Sequence, residues 1–230
     1  MNIMKKVLIT GGTGGIGGAV LKLLHELGWE IYAPVRNLKT AGKILGLPNV
    51  HIQEIDFTNQ EKINEYISSI AKEVVIFDFV ALLAGGTGPN REFFDSEFPG
   101  ENEEEQIKNS IAGHMESSVN TKKRILKSLV FVYGESLKQT VLATIGSHAE
   151  SFSDELTAEY NEFGYRASMI GVDALTKEYE PFFKRIFIDK PGLVRTPLTE
   201  SNLADALADP KNPKKEADEY AREFFAKTGL

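Results

Sequence analysis

Between Thr10 and Gly17 the chain reads T-G-G-T-G-G-I-G, a run whose chemistry lies in its backbone. Glycine allows a tight turn and lets main-chain N–H groups come close to a ligand. A helix beginning there adds unpaired N–H groups and a partial positive charge, which suits a pyrophosphate. The chemistry implied is dinucleotide binding, provided a strand enters the run and a helix leaves it. A plain strand-to-helix turn would use the same letters, so the surrounding elements decide.

Apolar, β-branched runs of strand length occur at 5–10, 30–36, 50–56, 74–83, 140–147 and 185–189. Segments of helical period lie at 16–27, 59–72, 114–138 and 165–183. This alternation predicts an α/β fold, a doubly wound parallel sheet with helices on both faces. In the first helix Ile16, Val20, Leu23, Leu24 and Leu27 share a face, Lys22 and Glu26 point away, and Gly28 ends the helix. The segments 85–100 and 193–214 break the rhythm after strand ends, where the ligand crevice of such a sheet lies. They read either as covers for a small molecule, 193–214 above all, or as plain surface connections. Phe93, Phe94, Phe98, Leu198 and Leu203 would make a pocket there partly hydrophobic. The acidic run 101–105 reads as a solvated helix start rather than a metal site.

The spacing T-G-x-x-x-G-x-G, the run Y-R-A-S-M-I-G-V-D-A-L-T-K from Tyr165, and K-P-G-L-V-R-T-P from Lys190 to Pro197 together resemble the short-chain dehydrogenase and reductase family. The resemblance spans residues 5–197. It implies one NAD(P)-binding, Rossmann-like domain over 1–230, with six strands in the order 3-2-1-4-5-6. The family's usual seventh strand is expected to be absent, with a charged helix at 216–227 in its place. By the same resemblance Gly11, Thr13, Gly15, Ile16 and Gly17 surround the cofactor, Asp56 lies near its adenine, and Ala84 and Gly85 border it. Tyr165, Pro191, Gly192, Val194 and Thr196 stand at its nicotinamide end. Arg36 falls where NADP-preferring members carry an arginine, and Val35 where NAD-preferring members show an acid. A guanidinium grips a 2'-phosphate bidentately whereas a carboxylate repels it, so NADP is favoured over NAD. Without the resemblance Asp56 is a cap or turn residue, and Asn37 is a turn residue.

Hydride transfer to a carbonyl needs a proton donor at the oxygen, where negative charge develops. The family uses a Tyr as acid or base, a Ser on the same oxygen, an Asn that holds a water, and a Lys. Carried over, these are Tyr165, Ser147 at the end of the fifth strand, and Asn120, which stands 27 positions before Ser147. Asn109, Ser151 and Ser153 rank behind them. Met169 occupies the lysine's place, and Leu82 and Leu83 replace two asparagines in V-A-L-L-A-G-G. A lysine four residues after Tyr165 would share its helix face, but a thioether brings no charge and no proton. Lys177 lies two turns beyond Met169, roughly 12 Å along the axis, and cannot substitute. A neutral Tyr165 can still protonate a developing alkoxide, whereas oxidation needs the phenolate first, so the expected activity is reductive.

A chain of 230 residues, 42% of them hydrophobic, suffices for one substantial core and one domain. No apolar stretch has the length of a membrane span and no leader signal follows Met1, which predicts a cytoplasmic protein without a membrane partner. The absence of cysteine excludes disulfides, thiolate metal ligands and cysteine nucleophiles, and no metal site is read. A net charge of -7 argues against nucleic acid. The expected partners are a small carbonyl or alcohol substrate and, through the long helices, a second copy in a homodimer, with a monomer left open. Two functions stand: an NADP-dependent reductase, and an NADP-binding sensor or partner subunit without turnover, which Met169, Leu82 and Leu83 motivate.

Overall fold

The computed structural model describes residues 4–42, 44–85, 108, 111–146, 163–191, 193–202 and 214–230. Its centre is a six-stranded parallel sheet in the order β3-β2-β1-β4-β5-β6, the order expected. The strands are β1 (Lys6–Thr10), β2 (Glu30–Val35), β3 (Val50–Glu54), β4 (Phe79–Leu82), β5 (Val141–Ile145) and β6 (Arg185–Asp189). Successive side chains of β1 feed opposite faces: Val7 and Ile9 join one core with Ile31, Phe79 and Val141, while Leu8 joins the other with Tyr32, Val80 and Leu142. Burial on both faces is why these strands read as continuous apolar runs.

Helices cover both faces. α1 (Gly15–Glu26) leads from β1 into β2, and α2 (Gln60–Ile70) follows β3, with the Asn59 side chain accepting from the N–H groups of Glu61 and Lys62. The helix expected over 114–138 is three pieces: a π-helical turn (Met115–Asn120), α3 (Thr121–Tyr133) and a 3-10 segment (Gly134–Gln139) entered at Gly134 with φ +49. α4 (Phe163–Glu178) carries Tyr165 and gives way to a 3-10 turn at Glu180–Phe182, where Pro181 has no N–H to continue it. The fourth strand is shorter than its apolar run suggests: Val74 and Phe77 are fully buried, but ahead of β4.

The segment 193–214 begins in β7 (Leu193–Arg195), continues into α5 (Pro197–Asn202) and ends in β8 (Lys214–Glu216), which pairs parallel with β7; residues 203–213 lie outside the described residues. The charged helix, α6 (Ala217–Thr228), buries Tyr220, Ala221 and Phe224 against the sheet and caps with Gly229 at φ +67. No described helix is long and apolar enough to cross a membrane. Connections diverge between β1 and β4, so the crevice opens at the carboxyl ends of these strands, where Thr10 stands opposite Leu82.

Candidate functional site

The glycine run sits at that reversal point, and each of its key glycines is demanded by close approach. Gly11 has φ +78, and a Cβ there would lie 2.7 Å from the Ala84 nitrogen. A Cβ on Gly17 would lie 2.2 Å from the Gly11 carbonyl oxygen, so helix and strand could not meet this closely. A Cβ on Gly15 would come within 2.4 Å of the Thr196 Cβ. Thr196 itself is 8% exposed, and its hydroxyl accepts from the Thr199 N–H at 3.2 Å to start α5. Two distant stretches of sequence therefore close on one loop.

The first N–H of α1 to find a carbonyl inside this turn is that of Gly18, on Gly14 at 2.8 Å. Gly14 offers no side-chain cap and no acid stands in the first turn. The N–H groups of Gly15, Ile16 and Gly17 are thus left for a ligand, and with the helix dipole behind them that ligand is an anion. The carboxyl end of β2 lies beside that of β1 in the sheet. At that end Arg36 is exposed with no ion pair among the described residues, while Asn37 accepts from the Lys39 N–H at 2.8 Å as a turn residue. Asp56 accepts from the hydroxyl of Thr58 at 2.6 Å and its N–H at 2.9 Å, and these bonds, the hydroxyl first, hold its carboxyl below the usual range.

On the other side of the crevice Tyr165 projects from α4, half-buried, its ring edge-on to His114 with centroids 5.9 Å apart. His114 is 4% exposed and directly precedes the π-helical turn, which packs on α4 so tightly that a Cβ on Gly171 would lie 2.9 Å from Val119. Met169, one turn after Tyr165, is 4% exposed and belongs to the core with Val119 and Val172. It fills space.

Asn120 is half-buried at the end of the π-helical turn. Its amide donates to Glu116 at 3.0 Å, and Glu116 pairs with Arg124, whose hydrogen bond is the main cause that holds the Glu116 carboxyl below the usual range. The side chains that reach the Ala84–Gly85 turn are instead Ser118 and Lys122. The Lys122 ammonium donates to the carbonyls of Ala84 and of Ser118, the latter at 3.0 Å, and burial alone pushes it down to about 7. Lys122 escaped the sequence reading because it stands in a run of charges. Its signal was position: it shares a buried stripe with Ile125, Leu126 and Leu129.

Further along α4, Asp173 pairs with Lys190 at 3.1 Å, and burial raises its carboxyl. The second Asp173 oxygen is buried without a partner, 2.9 Å from where a Cβ on Gly146 would be. Pro191 and Val194 lie next in the chain, Val194 buried. Ser147, Gly192, Asn109, Ser151 and Ser153 lie outside the described residues, as do Phe93, Phe94, Phe98 and Leu203.

The sequence model described as short chain dehydrogenase matches residues 5–206. The short-chain dehydrogenase cctT of Talaromyces islandicus is 37% identical over 71 residues, which are 30% of this chain and only 25% of that protein. An uncharacterized oxidoreductase of Staphylococcus haemolyticus is 25% identical over 215 residues, 87% of each chain. Among solved structures, a short chain dehydrogenase from Burkholderia cenocepacia in complex with NADP superposes with a TM-score of 0.71 at 18% identity, covering 100% of this chain and 86% of that one.

Proposed function

Because the chain belongs to the short-chain dehydrogenase family, as the match over residues 5–206 shows, we propose that it is an NADP-dependent oxidoreductase that reduces a small carbonyl substrate to the alcohol. The observation that carries this reading is the convergence of Ala84 on Gly11 and of Thr196 on Gly15, around a helix start with open N–H groups. The residues fit the cofactor: Gly15, Ile16 and Gly17 offer N–H groups to its pyrophosphate, and Arg36 offers a bidentate fork to a 2'-phosphate. The NADP bound in the Burkholderia cenocepacia structure supports the same choice. When bound, NADPH supplies the hydride.

Tyr165 is the proton donor in this reading, and its phenol meets the substrate oxygen as charge develops there. Ser147 donates a second hydrogen bond to the same oxygen. Asn120 is left out, because its amide is held by Glu116. Met169 brings no cation to Tyr165, so reduction, which takes a proton from the phenol, is favoured over oxidation, which needs the phenolate. Bringing a tyrosine from about 10 to near neutrality would take on the order of 3 to 4 kcal/mol, which an apolar neighbour cannot supply.

A second reading, an NADP-binding sensor or partner subunit without turnover, is favoured by the burial of Met169 in the core. One paired experiment separates the two: NADPH binding and NADPH consumption over a panel of ketones and aldehydes, for the native chain and for Met169→Lys. Consumption by the native chain supports the reductase. Binding without turnover in the native chain, with turnover gained in the variant, supports the sensor.

A further inference from the structure

Lys122 is 2% exposed, and its ammonium has two main-chain carbonyls for partners. No carboxylate among the described residues pairs with it. An unpaired cation held away from water is costly, and a methionine would fill the same space without that cost. What distinguishes the lysine is therefore what its hydrogen bonds join.

They join two parts of the site. Ala84 and Gly85 follow β4, and the Ala84 nitrogen lies 2.7 Å from where a Cβ on Gly11 would stand, so this turn is the floor of the glycine loop. Ser118 belongs to the π-helical turn, which packs on α4 through Val119 and, at its start, sets His114 against Tyr165. A Cβ on Gly85 would lie 3.6 Å from the Lys122 Nζ and 3.5 Å from the Ser118 hydroxyl, which is buried without a partner. Toward β1 the floor is held by the Leu83 N–H on the Thr10 carbonyl and the Ala84 N–H on the Thr10 hydroxyl, both at 3.3 Å. Leu82 and Leu83 have no polar side-chain atoms with which to hold it toward the helical layer.

We propose that Lys122 is a positioning residue of this site, whose ammonium fastens the Ala84–Gly85 turn, and with it the floor of the glycine loop, to the π-helical turn that packs on the Tyr165 helix. It takes over a tie that leucines at 82 and 83 cannot make, and it fixes the separation between the cofactor loop and the proton donor. The inference rests on the reading that this loop holds NADP.

The test uses the full chain and three variants: Lys122→Met, which keeps the stem and loses the donors; Lys122→Gln, which keeps a neutral donor; and Lys123→Met, an exposed control. Amide hydrogen exchange over residues 79–85 is measured without cofactor, and NADPH affinity by fluorescence titration. Losing one net hydrogen bond corresponds to a factor of about ten, so exchange of the Leu83 and Ala84 amides quickens by about tenfold in Lys122→Met, less in Lys122→Gln, and not in Lys123→Met. NADPH affinity falls in the same order. Equal exchange in all four proteins overturns the inference. If the native chain binds no NADPH, the functional reading fails instead, while the exchange rates still decide the role of Lys122. Should Lys122→Met not fold, Lys122→Gln against the native chain decides it by the same comparison.

Discussion

Lys122 makes the protein grow more stable as pH rises through the neutral range, and Lys122→Met abolishes that rise. Burial lowers this ammonium from 10.5 to about 7, since it leaves water with no counter-charge. The unfolded chain keeps the proton up to about 10.5, so between the two values the unfolded state binds more protons and stability climbs with pH. Below about pH 7 the whole desolvation penalty is present, and it is relieved as pH approaches the unfolded value. At ~1.4 kcal/mol per unit, going from pH 7 to pH 9 is worth about 2 kcal/mol. Carboxyls lowered from 4.5 or below, such as Glu30, Asp56 and Glu116, and tyrosines and lysines raised from 10 or above fall outside that window, and the comparison with Lys122→Met isolates the contribution of Lys122. The assay is urea unfolding at pH 7, 8 and 9 at fixed ionic strength. Losing the hydrogen bonds to Ala84 and Ser118 displaces the whole Lys122→Met curve, and the slope is the quantity that counts. Parallel curves for native and variant would refute the argument.

Three further outcomes follow from the site. Gly15→Ala sets a methyl 2.4 Å from the Thr196 Cβ, forcing loop and α5 apart, and NADPH affinity measured by titration falls by about tenfold or more. Arg36→Ala removes a charged hydrogen-bonding group worth about 1.5 to 3 kcal/mol to a 2'-phosphate, so the NADPH dissociation constant rises by tenfold or more while that for NADH is nearly unchanged. Met169→Lys places a cation in a core position that is 4% exposed, costs about 1 to 3 kcal/mol in denaturant unfolding, and raises alcohol oxidation relative to ketone reduction when both directions are assayed.

The sheet was legible because strands buried on both faces, such as Val7 to Ile9 and Phe79 to Leu82, leave uninterrupted apolar runs. The glycine loop was legible because close approach at Gly11, Gly15 and Gly17 admits no side chain. The helical layer was harder to read. The π-helical turn at Met115–Asn120 shifts the helical phase, and the side chains at the Ala84–Gly85 turn are Ser118 and Lys122, whereas the resemblance and the 27-residue spacing to Ser147 point to Asn120, whose amide donates to Glu116. Lys122 stands beside the exposed Lys123 in a charged run, and only its register with Ile125 and Leu129 marks it as internal. β8 pairs with β7 through Lys214, Lys215 and Glu216, letters without strand character, since a short exposed ladder needs backbone alone. Met169 was legible as a departure, and its burial explains it as packing.

The most direct test of the central claim is NADPH consumption at neutral pH over a panel of ketones and aldehydes, by the native chain and by Tyr165→Phe. Removing a general acid costs about 10²- to 10⁴-fold. The account predicts turnover by the native chain with NADPH, little with NADH, and a loss of that order in Tyr165→Phe with NADPH binding intact. NADPH bound by both proteins and consumed equally by both, or by neither, would contradict it.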